Sequence, residues 1–359
     1  MGVYKDKKTN KWNVYLYHKD WQGDRKRKMK RGFATKREAQ EWEREFQMTQ
    51  SDNLEMTFDS FVKLYEEDRR PRLRYNTWLI KEHMIRVKLL PFFGNMPLSA
   101  IESTDVIKWQ NKMINYRDKS GNPYSDTYLK AINSQLTAIF NHAYRYYGLK
   151  KNPCSKVGSI GKNHAGEMQY WTHDEYSKFA EAIESDARVY YAFEVLYWCG
   201  LRVGELCALT YADIDFDKKT ININKSCQRI KGKDIITGPK TAKSNRIIAM
   251  PAFLADELLT YMNMQYGPSE KERVFQTSKS FLSRRLKAGA EKAGVKKIRV
   301  HDIRHSHVSL LIEKGFTPVA IADRLGHESI ETTFRYAHLF PNKQNEMAER
   351  LNEERERVR

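Results

Sequence analysis

The residues with chemical potential lie in the C-terminal half of the sequence. Arg202 interrupts an apolar stretch, Cys199-Gly200-Leu201-Arg202-Val203-Gly204-Glu205-Leu206, and Glu205 follows one helical turn later. A guanidinium there is costly to bury unless paired. One reading is an ion pair that holds two helices together; the other is a planar fork held ready for a phosphate. In His301-Asp302-Ile303-Arg304-His305 the spacing puts His301 and Arg304 on one helical face, so one rigid element can offer an imidazole and a second guanidinium to the same anion. His305 and His307 are expected to be structural, with His305 a candidate for a supporting role. Gly326 looks like a helix stop that leaves His327 at a helix end. Lys240 sits in a Gly-, Pro-, Ser- and Asn-containing turn with Lys243, and Tyr336 closes the series. Attack on a phosphodiester needs a nucleophile, neutralisation of the non-bridging oxygens and a proton for the leaving oxygen. No convincing acidic cluster for a metal is visible, and no P-loop.

The composition points to the same kind of substrate. Lys and Arg number 63 against 45 Asp and Glu, a net charge of +18, which calls for a polyanionic partner; nucleic acid leads, ahead of an anionic membrane or a merely solubilising surface. Hydrophobic residues at 40% and aromatics at 12% can fill real cores. No long apolar run or apolar leader is present, so neither a membrane span nor a signal peptide is expected. Cys154, Cys199, Cys207 and Cys227 form no C-x-x-C pair, which argues against a zinc site and a disulfide framework and for an intracellular, reducing compartment.

Taken in this order and spacing, these motifs resemble the tyrosine recombinases, or phage integrase family. The resemblance implies that Arg202 and Arg304 clamp the scissile phosphate, with Glu205 orienting Arg202. His301 handles a proton or hydrogen-bonds, and His327 donates a hydrogen bond to the phosphate. Tyr336 is the nucleophile that forms a 3′-phosphotyrosyl ester. Lys240 protonates the departing 5′ oxygen, with Lys243 as its rival. That ester keeps the energy of the broken bond, so rejoining needs no ATP, no metal and no cofactor. Cys199 departs from the small polar residue that relatives often carry. The function implied is integration and excision of a mobile element, either a temperate phage or a conjugative element. The alternatives are a type IB topoisomerase-like enzyme and a non-catalytic regulator using Thr317 to Gly326 as part of a helix-turn-helix.

Positioning such residues requires several modules, and 359 residues suggest two or three at about 100 to 200 residues each. The expected fold is multidomain and mainly α. Residues 1–50 carry 14 Lys and Arg against 7 Asp and Glu. They read as a small α+β arm-type DNA-binding domain, in which Trp12, Val14 and Leu16 alternate with Asn13, Tyr15 and Tyr17. The basic run Arg25, Lys26, Arg27, Lys28 and Lys30 is its candidate DNA surface, and Lys243 a further contact; Thr35 to Glu38 has capping-box spacing. Residues 55–150 read as all-α, with a helix from Trp78 to Leu90 that stops at Pro91-Phe92-Phe93-Gly94 and a long helix through Ile132, Leu136, Ile139, Phe140 and Ala143; the resemblance makes them the core-binding domain. Residues 148 to 168 have the composition of a flexible connector between two lobes of a clamp. Residues 168–341 read as the catalytic domain, mostly helical with a small antiparallel sheet, and 342–359 as a helical tail for protomer contacts. The partners implied are double-stranded DNA at core and arm sites, further copies in a tetramer, an excisionase and a DNA-bending protein.

Overall fold

The computed structural model describes residues 2–6, 9–19, 25–50, 56–163, 168–239, 242–266, 269–329, 331–334, 336 and 355. The chain divides into two compact units, Met1–Gly166 and Glu167–Arg359. Among the described residues no helix is long and apolar enough to cross a membrane.

The first unit opens with the antiparallel strands β1 (Gly2–Lys5), β2 (Trp12–Lys19) and β3 (Arg25–Phe33), followed by α1 (Lys36–Gln50). The capping box forms as its spacing predicts: Glu38 N–H donates to Thr35 Oγ1 at 3.2 Å and Thr35 N–H to Glu38 Oε2 at 3.3 Å. Val14, Leu16 and Ala39 are buried together, with Trp12, Phe33 and Trp42 packed around them. Asn13 departs from the simple alternation, because it is buried. The register of β2 against β3 shifts beside it, and its Oδ1 accepts the Gly32 N–H at 3.0 Å, so the amide fills the irregularity. The basic run divides between the two sheet faces. Arg27 stacks on Tyr15 at 5.0 Å, whereas Lys30 reaches over Trp42 at 5.0 Å. Lys28 is exposed, and the side chains of Arg25 and Lys26 lie outside the described residues.

The helical part comprises α2 (Phe58–Arg69), α3 (Tyr75–Met84), α4 (Leu90–Phe93), α5 (Ser103–Ile114) and α6 (Asp126–Tyr146). Its core is aromatic, with Phe58, Phe61, Phe93, Trp109 and Phe140 all fully buried. The helix stops within the expected tetrapeptide Pro91 to Gly94, although it runs past Leu90. The stretch Ile85–Leu89 widens into a π-turn, Leu90 N–H bonds back to Ile85 O, and the helix runs on to Phe93. Widening the coil ahead of proline makes room for its ring and removes the need for its missing N–H. Residues 148–163 also differ from the expected flexible connector. Leu149 and Cys154 are buried in the helical core, Val157 and Ile160 pack on it, and Gln110 Nε2 donates to Gly158 O at 2.7 Å. Apolar residues scattered among the glycines and lysines are what anchor it.

The second unit contains α7 (His173–Ile183), α8 (Ala187–Cys199), α9 (Val203–Leu206), β4 (Ile214–Asp215), β5 (Thr220–Ile223), β6 (Ser226–Ile230), β7 (Lys233–Thr237), β8 (Arg246–Ala249), α10 (Ala252–Asn263), α11 (Lys279–Lys292), α12 (Asp302–Glu313), α13 (Pro318–Leu325) and α14 (Glu331–Phe334). Instead of one small sheet there are two: β4-β5-β8, and the hairpin β6-β7. The hairpin turns at Lys231 (φ 48°) and Gly232 (φ 81°), a pair of positive φ values that matches strand twist, and every residue of β7 is exposed. The expected tail helix at 342–359 falls outside the described residues apart from Arg355.

Gly161 tests the packing of 148–163. Its φ is +74°, and a Cβ there would press on Asp126 O and stand 2.7 Å from Lys130 N. Gly161→Ala is expected to destabilise the protein by about 1–3 kcal/mol in urea melts of the intact chain. A free connector would tolerate it without loss.

Candidate active site

Helix α8 ends at Gly200, whose φ of +63° and lack of Cβ allow a sharp turn; a Cβ would stand 2.9 Å from Leu325 Cδ2. The turn sets Arg202 at the N-terminus of α9. There its backbone N–H donates to Glu205 Oε2 at 2.9 Å and its Nη1 to Glu205 Oε1 at 2.9 Å. Glu205 is buried and serves a second guanidinium as well. Arg246, at the start of β8, donates Nη1 to Oε1 at 3.1 Å and Nη2 to Oε2 at 2.9 Å. Burial alone would raise the Glu205 carboxyl, but the hydrogen bonds and charge of Arg246, with Arg202, outweigh it and hold the group below its usual range.

The remaining contacts of these arginines are backbone carbonyls at helix ends. Arg304, 3% exposed, donates to Gly200 O at 2.7 Å and Leu325 O at 2.6 Å. Arg202 Nη2 reaches Gly326 O at 3.4 Å and Arg246 Nε reaches Arg324 O at 3.0 Å. The C-terminal ends of α8 and α13 therefore supply partial negative charge where the cations gather. Even so, Arg304 is pushed down to about 9, by burial first and then by Arg202, which leaves it protonated at neutral pH. The Arg202 side chain is 36% exposed and remains open to an incoming anion.

Gly326, with φ +64°, caps α13 as the sequence predicts and releases His327, whose Nδ1 contacts the buried Thr333 Oγ1 at 2.8 Å. Burial, followed by the charges of Arg304, Arg202 and Arg246, lowers His327 to about 3. His301 caps the N-terminus of α12 and is exposed; it too is lowered, by burial and then by Arg304.

Tyr336 is 3% exposed and packs with Val308, Ile312, Ile321 and Leu325. Its hydroxyl meets Nδ1 of His305, the histidine assigned only a supporting role from sequence. His307 is structural as expected: fully buried, with Arg324 Nε donating to its Nε2 at 3.3 Å. Arg202, paired with Glu205, and Arg304 thus bond to adjacent carbonyls at the end of α13, His327 follows them in the chain, and Tyr336 packs on Leu325 and bonds through its N–H to Thr333 O, with His301 at the head of α12. Lys240 lies outside the described residues. Lys243 is exposed, its Nζ 3.5 Å from Glu328 O, and its backbone oxygen would stand 2.6 Å from a Cβ at Gly326. Sequence reasoning missed Arg246, which resembles any basic residue opening a strand; only its position just after the lysine turn singled it out.

Three family models match the chain: the phage integrase family over residues 169–343, the phage integrase N-terminal SAM-like domain over 57–114, and the Arm DNA-binding domain over 3–50. The ICEBs1 integrase of Bacillus subtilis is 30% identical over 346 residues, covering 89% of this chain and 90% of that protein. The chain belongs to the phage integrase family. It is a tyrosine-type site-specific recombinase. The fold is shared with the Tn1549 transposon integrase solved with transposon right end DNA (TM-score 0.66, 22% identity, covering 84% of this chain and 99% of that one). It is also shared with a lambda integrase tetramer bound to a Holliday junction (TM-score 0.58, 18% identity, 91% and 96%). The readings as a topoisomerase or a non-catalytic regulator find no support among these relatives.

Glu205 is the hinge of the recombinase's cation cluster. Glu205→Gln leaves Arg246 and Arg202 facing a neutral amide inside the fold, and is expected to cost about 3–5 kcal/mol in denaturant unfolding. A loss below about 1 kcal/mol, the range of a surface pair, would show that the carboxylate does not hold the cluster.

Proposed function

We propose that this recombinase integrates and excises a mobile element by attack of Tyr336 on a DNA phosphate held by Arg202, Arg304 and His327. The supporting observation is that Arg202 and Arg304 reach neighbouring carbonyls at the end of α13, beside His327, where the charge of Arg202 helps to lower Arg304 and the charges of both help to lower the imidazole. Arg202 offers its exposed fork to one non-bridging oxygen and Arg304 its remaining N–H groups to another. Glu205 orients Arg202, and His301 hydrogen-bonds or handles a proton at the head of α12. As Tyr336 Oη bonds to phosphorus, the 5′ oxygen departs with a proton from Lys240, with Lys243 as the other candidate. The phosphotyrosyl ester stores the bond energy for resealing by an incoming hydroxyl, so no cofactor is required.

Residues 1–50 serve as the arm-binding domain, 55–150 as the core-binding domain, 168–341 as the catalytic domain and 342–359 as a tail for protomer contacts. Double-stranded DNA is the partner, bound at core sites and, through the basic strand Arg25 to Lys30, at arm sites; Lys243 adds a contact near the cleaved strand. The net charge of +18 fits that partner. Strand exchange proceeds in a tetramer on DNA, assisted by an excisionase and a bending protein, at the nucleoid in the bacterial cytoplasm. The relatives that support this reading include a lambda integrase tetramer on a Holliday junction.

Tyr336→Phe is expected to bind a nicked duplex carrying the joined ends of the element yet form no covalent adduct on a denaturing gel; an adduct in that variant would falsify the assignment. The acid is identified with a 5′-bridging phosphorothiolate, whose thiolate leaves without a proton. The alanine variant at the true lysine, Lys240 on this reading, is expected to recover cleavage of that substrate, and recovery by Lys243→Ala alone would transfer the role.

A further inference from the structure

The contact between Tyr336 and His305 has no place in the scheme above. His305 lies on α12 one residue after Arg304, half-buried, with its Nδ1 on the tyrosine hydroxyl and the two rings 5.6 Å apart. Its other nitrogen, Nε2, faces the carboxylate of Asp302 at 3.8 Å. Asp302 is 1% exposed and fixed in turn by the Arg299 backbone N–H at 2.8 Å and by its guanidinium. At 3.8 Å the carboxylate is beyond hydrogen-bonding distance, and it acts on the ring through its charge, which favours hydrogen on Nε2 and leaves the Nδ1 lone pair for the phenol. Nucleophile, imidazole and buried carboxylate stand in series, the arrangement that activates hydroxyl nucleophiles in general.

We propose that His305 is the general base that takes the proton from Tyr336 as it attacks the phosphate, with Asp302 orienting the ring as a positioning residue. This rests on the reading of Tyr336 as the nucleophile. In the forward step the phenolic O–H breaks, its proton passes to His305 Nδ1, the Oη–P bond forms and the P–O5′ bond breaks, with O5′ taking a proton from the lysine. In rejoining, the incoming 5′-hydroxyl gives its proton to that lysine, the Oη–P bond breaks and the imidazolium returns its proton to Oη. The groups facing His305 are Asp302, His301, Arg299 and Arg304 around α12, with His327 and Tyr336 from the elements beyond it. Burial and then the neighbouring His301 lower His305 to about 4, so the ring is neutral and ready to accept at pH 7. A bound phosphate, by adding negative charge, favours the imidazolium that forms.

The test is single-turnover adduct formation by the full-length protein on a nicked duplex carrying the joined ends of the element, with DNA affinity and circular dichroism measured alongside. His305→Ala and His305→Asn are expected to slow adduct formation by about 10²–10⁴-fold at pH 7 while DNA affinity and fold persist. The His305→Ala rate is expected to rise about tenfold per pH unit between pH 7 and 9, since hydroxide then removes the proton, and to recover in part with added imidazole; the unaltered protein stays nearly level. Rates equal to or faster than the unaltered protein in both variants, or a slowing that neither pH nor imidazole changes, would overturn the proposal. Tyr336→Phe run in parallel separates the two readings, because an adduct there removes the nucleophile assignment whatever His305 does.

Discussion

Holding several cations close together inside one fold is the constraint on which the rest of this structure depends. Two like charges 4 Å apart repel by about 4 kcal/mol at an effective dielectric of 20. The fold must therefore hold Arg202, Arg246 and Arg304 near one another, beside a His327 that burial and their charges keep neutral. It does so with one buried carboxylate and a set of backbone oxygens. Glu205 takes two guanidiniums at once, and the carbonyls at the ends of α8 and α13 take the others. Helix ends suit this task because their last carbonyls are unsatisfied and carry the negative pole of the helix.

The glycines follow from the same requirement. Gly200 and Gly326 sit where two helices stop abruptly, so that a carbonyl is delivered to an arginine and the next residue turns into the site. Any side chain at Gly200 would collide with His307 and Leu325, and one at Gly326 with the backbone of the lysine turn. Arg246 extends the network to that turn, coupling the lysine-bearing loop to the anion clamp through Glu205 and Arg324 O. Tyr336, the nucleophile proposed above, rests in an apolar cluster with its hydroxyl on Nδ1 of His305.

Much of this was legible in the sequence because the relevant signals are local. The cap at Thr35, the apolar spacing of α6, the alternation in β2 and the glycine stop before His327 depend only on near neighbours along the chain. What sequence reasoning missed depends on distant ones. Whether Arg246 is solvated or shares Glu205 is settled by residues 41 positions away. His305 looked like a spare histidine because its partner is 31 residues downstream. The helix stop at Pro91 to Gly94 was legible, but not the five-residue π-turn that carries the helix past Leu90 to Phe93, and residues 148–163 suggested a connector because their few apolar anchors, Leu149, Cys154, Val157 and Ile160, are diluted by polar residues.

The central claim is convergence of dispersed groups on one phosphorus, and a structure of the protein on its DNA with the cleavage intermediate trapped tests it most directly. The expected density joins Tyr336 Oη to a 3′-phosphate, with Arg202, Arg304 and His327 within hydrogen-bonding distance of its oxygens. A phosphate bonded to any other residue, or one lying out of reach of Arg202 and Arg304, would contradict it.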